Sequence, residues 1–162
     1  MTTLSDLHFN VVMISVLDIE KGYSNDPDDP GGETKFGISK RYHPDEDIKN
    51  MTVSRAVEIY KDEYWNKFNI GALDNLELAR KVFLTGINID MRKTLKYLQM
   101  SCNLLGGNLD VDGVLGPKTL GWIKVYPHQT ALLAAFKYHV VKHYIERSKE
   151  KYRAGLFKRT EI

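Results

Sequence analysis

The run NDPDDPGG, residues 25–32, constrains the fold more than any other stretch of the chain. Pro27 and Pro30 have no backbone N–H and hold φ near about −65°, so neither a regular helix nor a central strand passes through them. Gly31 and Gly32 extend the break into a turn. The chain before Asn25 must therefore complete its own element. In MTTLSDLHFNVVMISVLDIEKG, Thr3 and Asp6 have capping-box spacing. Leu7, Val11, Ile14 and Leu17 recur at helical spacing, and Val12, Val16 and Ile19 widen the stripe. Gly22 is a stop signal. This predicts a largely buried helix with Glu20 on its last turn. Beyond the break, TKFGIS alternates well enough for a short strand or hairpin arm.

The remaining chain reads as helix. One helix is predicted from near Thr52 through VSRAVEIYKDEYWNKF, with Ala56, Val57, Tyr60, Tyr64 and Phe68 as its apolar stripe. LELARKVFLTGINI and RKTLKYLQMSCNLL give two more, broken near Asn88 to Asp90. GGNLDVDGVLGPKTLGWI opens as a turn cluster and re-enters a helix at Pro117, a favoured first-turn position. A long final helix starts at or just after Pro127. With 162 residues, 43% of them apolar, the chain can bury one proper core, with or without a small appendage. The expectation is an α-rich α+β domain.

Several classes are disfavoured by composition. A net charge of +2 gives no argument for a nucleic-acid partner. The basic excess lies late: Lys137, Lys142, Arg147, Lys149, Lys151, Arg153, Lys158 and Arg159 stand against Glu146, Glu150 and Glu161. That pattern is either a solvated helix face or a contact for an anionic surface. Cys102 is the single cysteine, so no intramolecular disulfide forms and the thiol reads as a small core hydrophobe. No basic n-region precedes VVMISVL, which is too short to span a bilayer. Neither a signal peptide nor an anchor is expected, and the cytoplasm is the expected starting compartment.

Four constellations are candidates for chemistry. Glu20 ends an apolar helix, where desolvation raises a carboxyl pKa, while Asp26, Asp28 and Asp29 sit in a polar loop and stay ionised. A protonated acid beside an ionised carboxylate is the asymmetry that glycoside hydrolysis requires. An ordinary acidic turn after a helix has the same appearance. His139 and His143 fall on one helix face, but HVVKH lacks the glutamate of HExxH and no third metal ligand is nearby. Asn108, Asp110, Asp112 and Gly113 match half of a calcium loop, yet Thr119 stands where a bidentate glutamate belongs. Of Tyr60, Tyr64, Trp65 and Phe68, three are expected in the core, with Tyr64 or Trp65 as the cleft residue. Nucleophile-elbow and phosphate-loop patterns are missing from the sequence.

EKGYSNDPDDPGGETKFGIS, residues 20–39, resembles the signature of the glycoside hydrolase family 108 N-acetylmuramidases. That signature runs Glu-Gly-Gly-Tyr, then Asp-Pro-x-Asp-Pro-Gly-Gly-x-Thr-x-x-Gly-Ile; here Lys21 replaces the first glycine. Adjacent helix side chains diverge, which turns the Lys21 charge away from the acid. EIYKDEYW resembles the helix that follows in the family, and YLQMSCNLLGGNLDVDGVLGPKTLGWI resembles its companion predicted peptidoglycan segment. Together they cover Leu7 to Ile123.

The resemblance implies a mainly α (α+β), lysozyme-like fold: a helical domain with one small β-hairpin after the first helix. Residues 1–70 correspond to the catalytic region. Residues 71–162 correspond to the helical predicted peptidoglycan-binding region, packed with the first part as one domain. Members are phage endolysins or related bacterial lysins that cut the β-1,4 bond from N-acetylmuramic acid to N-acetylglucosamine. The catalytic glutamate maps onto Glu20 and the strand-opening threonine onto Thr34. The aspartate is assigned to Asp29, then to Asp26, with Asp28 at the variable position. Tyr23, Gly32, Tyr64 and Trp65 are the implied substrate contacts. Neither a metal nor another cofactor is implied. The implied partner is bacterial peptidoglycan, reached in the periplasm by a monomer after a holin opens the inner membrane of the host. A lytic transglycosylase, a non-catalytic peptidoglycan-binding protein and a metal-dependent amidase are the rivals.

The basic C-terminal segment makes a first prediction. Replacing Lys149, Lys151, Lys158 and Arg159 with Gln is expected to weaken lysis of outer-membrane-permeabilised cells and to flatten its salt dependence. Turbidity curves across a salt series check this. An unchanged response returns the segment to a solvated helix face.

Overall fold

The computed structural model describes residues 2–19, 22–25 and 32–147. The chain divides into two compact units, residues 1–67 and 68–162. In the first, helix α1 spans Leu4–Ile19. Its capping box closes as expected: the Asp6 N–H donates to Thr3 Oγ1 at 3.1 Å and the Thr3 N–H to Asp6 Oδ2 at 3.0 Å. Only part of the expected stripe is buried: Val12 and Val16 are, with Phe9 and Met13 beside them. Leu7, Val11 and Ile14 are 53%, 46% and 65% exposed. The helix is apolar almost all round, so periodicity alone could not orient it. The row carrying the large Phe9 ring goes inward, where it buries the most surface.

A three-stranded antiparallel sheet follows: β1 (Tyr23–Ser24), β2 (Thr34–Lys35) and β3 (Ile38–Ser39). The expected hairpin is β2–β3. Its two-residue turn, Phe36-Gly37, has φ of +51° and +75°. Two successive positive values make the mirror-image turn whose twist matches the strands; glycine adopts it freely and Phe36 does so at a cost. The Tyr60 hydroxyl donates to the Phe36 carbonyl at 3.0 Å and holds that strained residue. The strand β1 is an addition to the hairpin read from sequence.

Helix α2 spans Val53–Tyr60, and the Thr52 hydroxyl caps it by accepting the Arg55 N–H at 3.2 Å. It continues as a π-helical turn, Lys61–Asn66. That wider turn shifts the phase by one residue. After Tyr60, the next side chain directed inward is Trp65 and not Tyr64.

The second unit contains α3 (Leu76–Asn88), α4 (Met91–Leu104), α5 (Pro117–Val125) and α6 (Gln129–Arg147). Asn75 and Asp90 cap α3 and α4, accepting from the N–H groups of Leu78 and Lys93 at 2.9 and 2.7 Å. Pro117 takes the first-turn position of α5, as the sequence predicts. Helix α4 packs against both α3 and α6. Cys102 is buried on α4, and burial pushes its thiol up to about 12, which leaves it an inert core residue. Among the described residues no helix is long and apolar enough to cross a membrane.

Buried Gln99 fastens the Asp-Gly loop to α4. Its Nε2 donates to Asp112 Oδ1 at 2.7 Å, the Val114 carbonyl at 3.1 Å and Thr119 Oγ1 at 3.3 Å. Its Oε1 accepts the Gly113 N–H at 2.8 Å. Gly113 has φ of +77°, and a Cβ there would stand 2.7 Å from the Arg92 carbonyl oxygen, so only glycine fits. Replacing Gln99 with Leu leaves that N–H and its neighbours unpaired. A stability loss of about 2–3 kcal/mol is expected from urea unfolding. A loss below about 0.5 kcal/mol would make the network incidental.

Candidate active site

In the first unit, α1 is anchored at its N-terminal turns. Trp65 packs edge-on against Phe9 with ring centroids 5.4 Å apart, and its indole N–H donates to Ser5 Oγ at 3.0 Å. The Lys61 ammonium pairs with Asp6 Oδ1 at 2.8 Å and lies 5.8 Å from the Phe9 ring centroid. The bond from Lys61, then those from Thr3, hold the Asp6 carboxyl well below the usual carboxylate range. The helix so fixed runs on to Ile19.

Glu20 lies outside the described residues, as do Lys21, Asp26, Asp28, Asp29 and Gly31. The structure does place the surface that follows. Thr34 sits on the central strand, paired with Ser24 on β1 and Ser39 on β3. Directly paired residues share a face, so three hydroxyl side chains line up across the sheet. Thr34 Oγ1 also donates to the Gly32 carbonyl at 3.1 Å, which ties the strand to the glycine turn. Ser24 and Ser39 were not singled out from sequence; once Thr34 is placed on a strand, a hairpin register is the signal that finds them.

Tyr23 is exposed, and its hydroxyl donates to Glu33 Oε1 at 2.8 Å. That bond, with the Glu33 charge, raises the phenol pKa. Gly32 has φ of +67°. Tyr64 is half-buried on the π-helical turn, tilted against Tyr60 with centroids 5.7 Å apart. Burial, then the Glu63 charge, raises its pKa. Through Tyr60 it connects to the β2–β3 turn. Trp65 is not the cleft residue that the sequence suggested. It is 1% exposed, with its ring on Phe9 and its N–H on Ser5, so it is a core residue and not a substrate contact.

Residues 13–89 match the sequence model of the family described as glycosyl hydrolase 108. The match takes in the whole stretch from Glu20 to Ser39 and supports a glycoside hydrolase with peptidoglycan as substrate. A solved structure titled "Structure of Brucella abortus SagA" is similar at 23% identity, with a TM-score of 0.73 over 94% of this chain and 89% of that one. At that identity the likeness is one of fold, and it agrees with the mainly α, lysozyme-like architecture. No curated protein gives a significant match.

The two alternative metal readings meet a different chemistry. Among the described residues, no group of three His, Cys, Asp or Glu side chains is placed to hold an ion. In the second unit, His143 Nδ1 shares a hydrogen bond with the Tyr97 hydroxyl at 2.9 Å, and the His139 ring stacks on Tyr97 with an interplanar angle of 5°. Asp112 is taken up by Gln99 and by the Val114 N–H, and Asp110 pairs with Lys118 at 3.3 Å.

Burial, then nearby cations (Lys142 for His139, Lys93 and Arg147 for His143), lowers both histidine pKa values. The unfolded chain therefore takes up these protons first as pH falls. Stability from this pair is complete above the ordinary imidazole value of about 6.5 and is lost below it. Urea midpoints from neutral to acid pH are expected to fall for wild type and to fall less steeply for His139→Gln/His143→Gln. Equal slopes would remove these histidines as the cause.

Proposed function

We propose that the chain is an N-acetylmuramidase that hydrolyses the β-1,4 bond between N-acetylmuramic acid and N-acetylglucosamine, and that it serves as a phage endolysin. The observation that carries this reading is the family match across the Glu20–Ser39 stretch. The register that sets Thr34 between Ser24 and Ser39 supports it. In the proposed reaction Glu20 protonates the glycosidic oxygen as the bond to the anomeric carbon breaks. Asp29 takes a proton from the water that attacks that carbon, and Thr34 helps to orient the water. The water adds to the muramic acid side, and the leaving sugar keeps the proton from Glu20. Tyr23, Gly32 and Tyr64 are the proposed glycan contacts. The proposed route is storage in the host cytoplasm as a monomer, then action on the wall after holin-mediated release.

Turbidity loss on purified peptidoglycan tests this, with wild type beside Glu20→Gln and both checked for equal melting temperature. The amide keeps the size of the side chain and removes its titrating proton. Activity is expected to fall by at least about a hundredfold, in the range of a lost general acid. Products with a free reducing end identify a hydrolase; products lighter by one water identify a transglycosylase. Equal clearing by both proteins would make Glu20 structural, and no clearing by wild type would leave a binding protein.

A further inference from the structure

The second unit holds an open cavity of about 520 Å³ where the segment before α3 meets α5 and the start of α6. That size lies within the range of about 300–1,000 Å³ usual for small-ligand sites. Its apolar base is buried Leu73 and Ile123, and exposed Asp74 and Lys124 bring one charge of each sign to it. Gln129 lines it as well, but its amide N–H groups are committed to the Ile123 and Tyr126 carbonyls at 2.8 and 2.7 Å, which makes that wall rigid.

Gly121 is the telling residue. It occupies the middle of α5, where glycine costs a helix about 1 kcal/mol relative to alanine. No neighbour demands it: a Cβ at Gly121 would meet nothing within 4 Å, and its φ is not in the left-handed region. Gly107 and Gly113 are the contrast, since a Cβ at either would stand under 3.0 Å from a backbone oxygen. At Gly121 the missing side chain leaves room beside the cavity wall and nothing else.

We propose that this cavity binds a short zwitterionic peptide, the chemistry of a peptidoglycan stem peptide, with Asp74 taking an ammonium and Lys124 a carboxylate. A neutral sugar would use neither charge. The assignment rests on the peptidoglycan reading above and adds a peptide-binding site to it, on a different unit from Glu20. The open face at Gly121 lets peptide backbone lie close to α5.

The test is an NMR titration of the isotope-labelled full chain with a synthetic stem tetrapeptide bearing a free side-chain amine. The same peptide, acetylated on its amines and amidated on its carboxylates, and chitotetraose are run beside it. Shifts at the Leu73, Ile123 and Gln129 amides are expected with the free peptide alone. Affinity is expected to fall about tenfold or more in Lys124→Gln and in Asp74→Asn, as for a lost charged hydrogen bond. Gly121→Leu, which favours the helix and fills the space, is expected to abolish binding with its melting temperature kept. Absence of those shifts, equal binding of the blocked peptide or chitotetraose, or a Gly121→Leu protein that binds like wild type would overturn the assignment. Clearing of peptidoglycan by wild type, read in parallel, separates the two readings. Clearing without peptide binding overturns this site and leaves the muramidase; peptide binding without clearing sustains this site and removes the muramidase.

Discussion

The seat of Trp65 on Phe9 is the contact on which the first unit depends. A fully buried indole brings a large apolar surface out of water, but its N–H must find an acceptor or it opposes that gain. Ser5 supplies the acceptor one turn before Phe9, so one side chain fixes both the rotation and the axial position of α1. The Asp6–Lys61 pair lies beside it but remains partly in water, where an ion pair steers geometry more than it stabilises. Sixteen residues of helix carry that placement about 24 Å to Ile19. A rotation error at Ser5 would swing whatever follows Ile19 through the same angle.

The second unit solves a different problem with the same economy of contacts. Gly106 to Gly116 contains no regular element, and its polar backbone must be satisfied without one. Gln99 does this by offering donor and acceptor from one buried amide, which no apolar or singly polar residue could do. The Asp-x-Asp-Gly pattern that looks like half of a calcium loop is explained by this. Asp112 is needed as an acceptor for Gln99 and for the Val114 N–H, and those bonds hold its carboxyl below the usual range. Gly113 is needed because α4 passes too close for a Cβ.

Much of the architecture was legible in the sequence because local signals decided it. The Thr3–Asp6 box, the break at Asn88 to Asp90 and Pro117 at the head of α5 each rest on chemistry within four residues. The misses have a common cause. Leu7, Val11 and Ile14 fit a helical stripe as well as Phe9, Val12, Met13 and Val16 do, and only the partner Trp65 chooses between them. Trp65 was itself misjudged because a π-helical turn adds a residue to the period, a change that no pattern of apolar residues announces. Ser24 and Ser39 needed strand register, which a two-residue strand barely encodes.

The hydroxyl row across the sheet bears on the proposed chemistry through what it lacks. A carboxyl that must stay protonated is undone by a nearby cation, and a general-base carboxylate by a nearby proton donor of high acidity. Ser24 and Ser39 can donate and accept, and Thr34, whose hydrogen goes to the Gly32 carbonyl, can accept; none carries a charge, so the row can hold a water without moving a nearby carboxyl pKa far. Lys35, the cation on the same strand, pairs instead with Tyr23 and Ile38 on the opposite face, and its Nζ donates to the Lys49 carbonyl at 2.9 Å. Strand alternation alone therefore keeps the ammonium off the hydroxyl face. A one-residue slip of β2 would exchange Thr34 for Lys35 and put a cation where the water is proposed to sit. The β2–β3 turn, with Phe36 held in its strained conformation by Tyr60, is what prevents that slip.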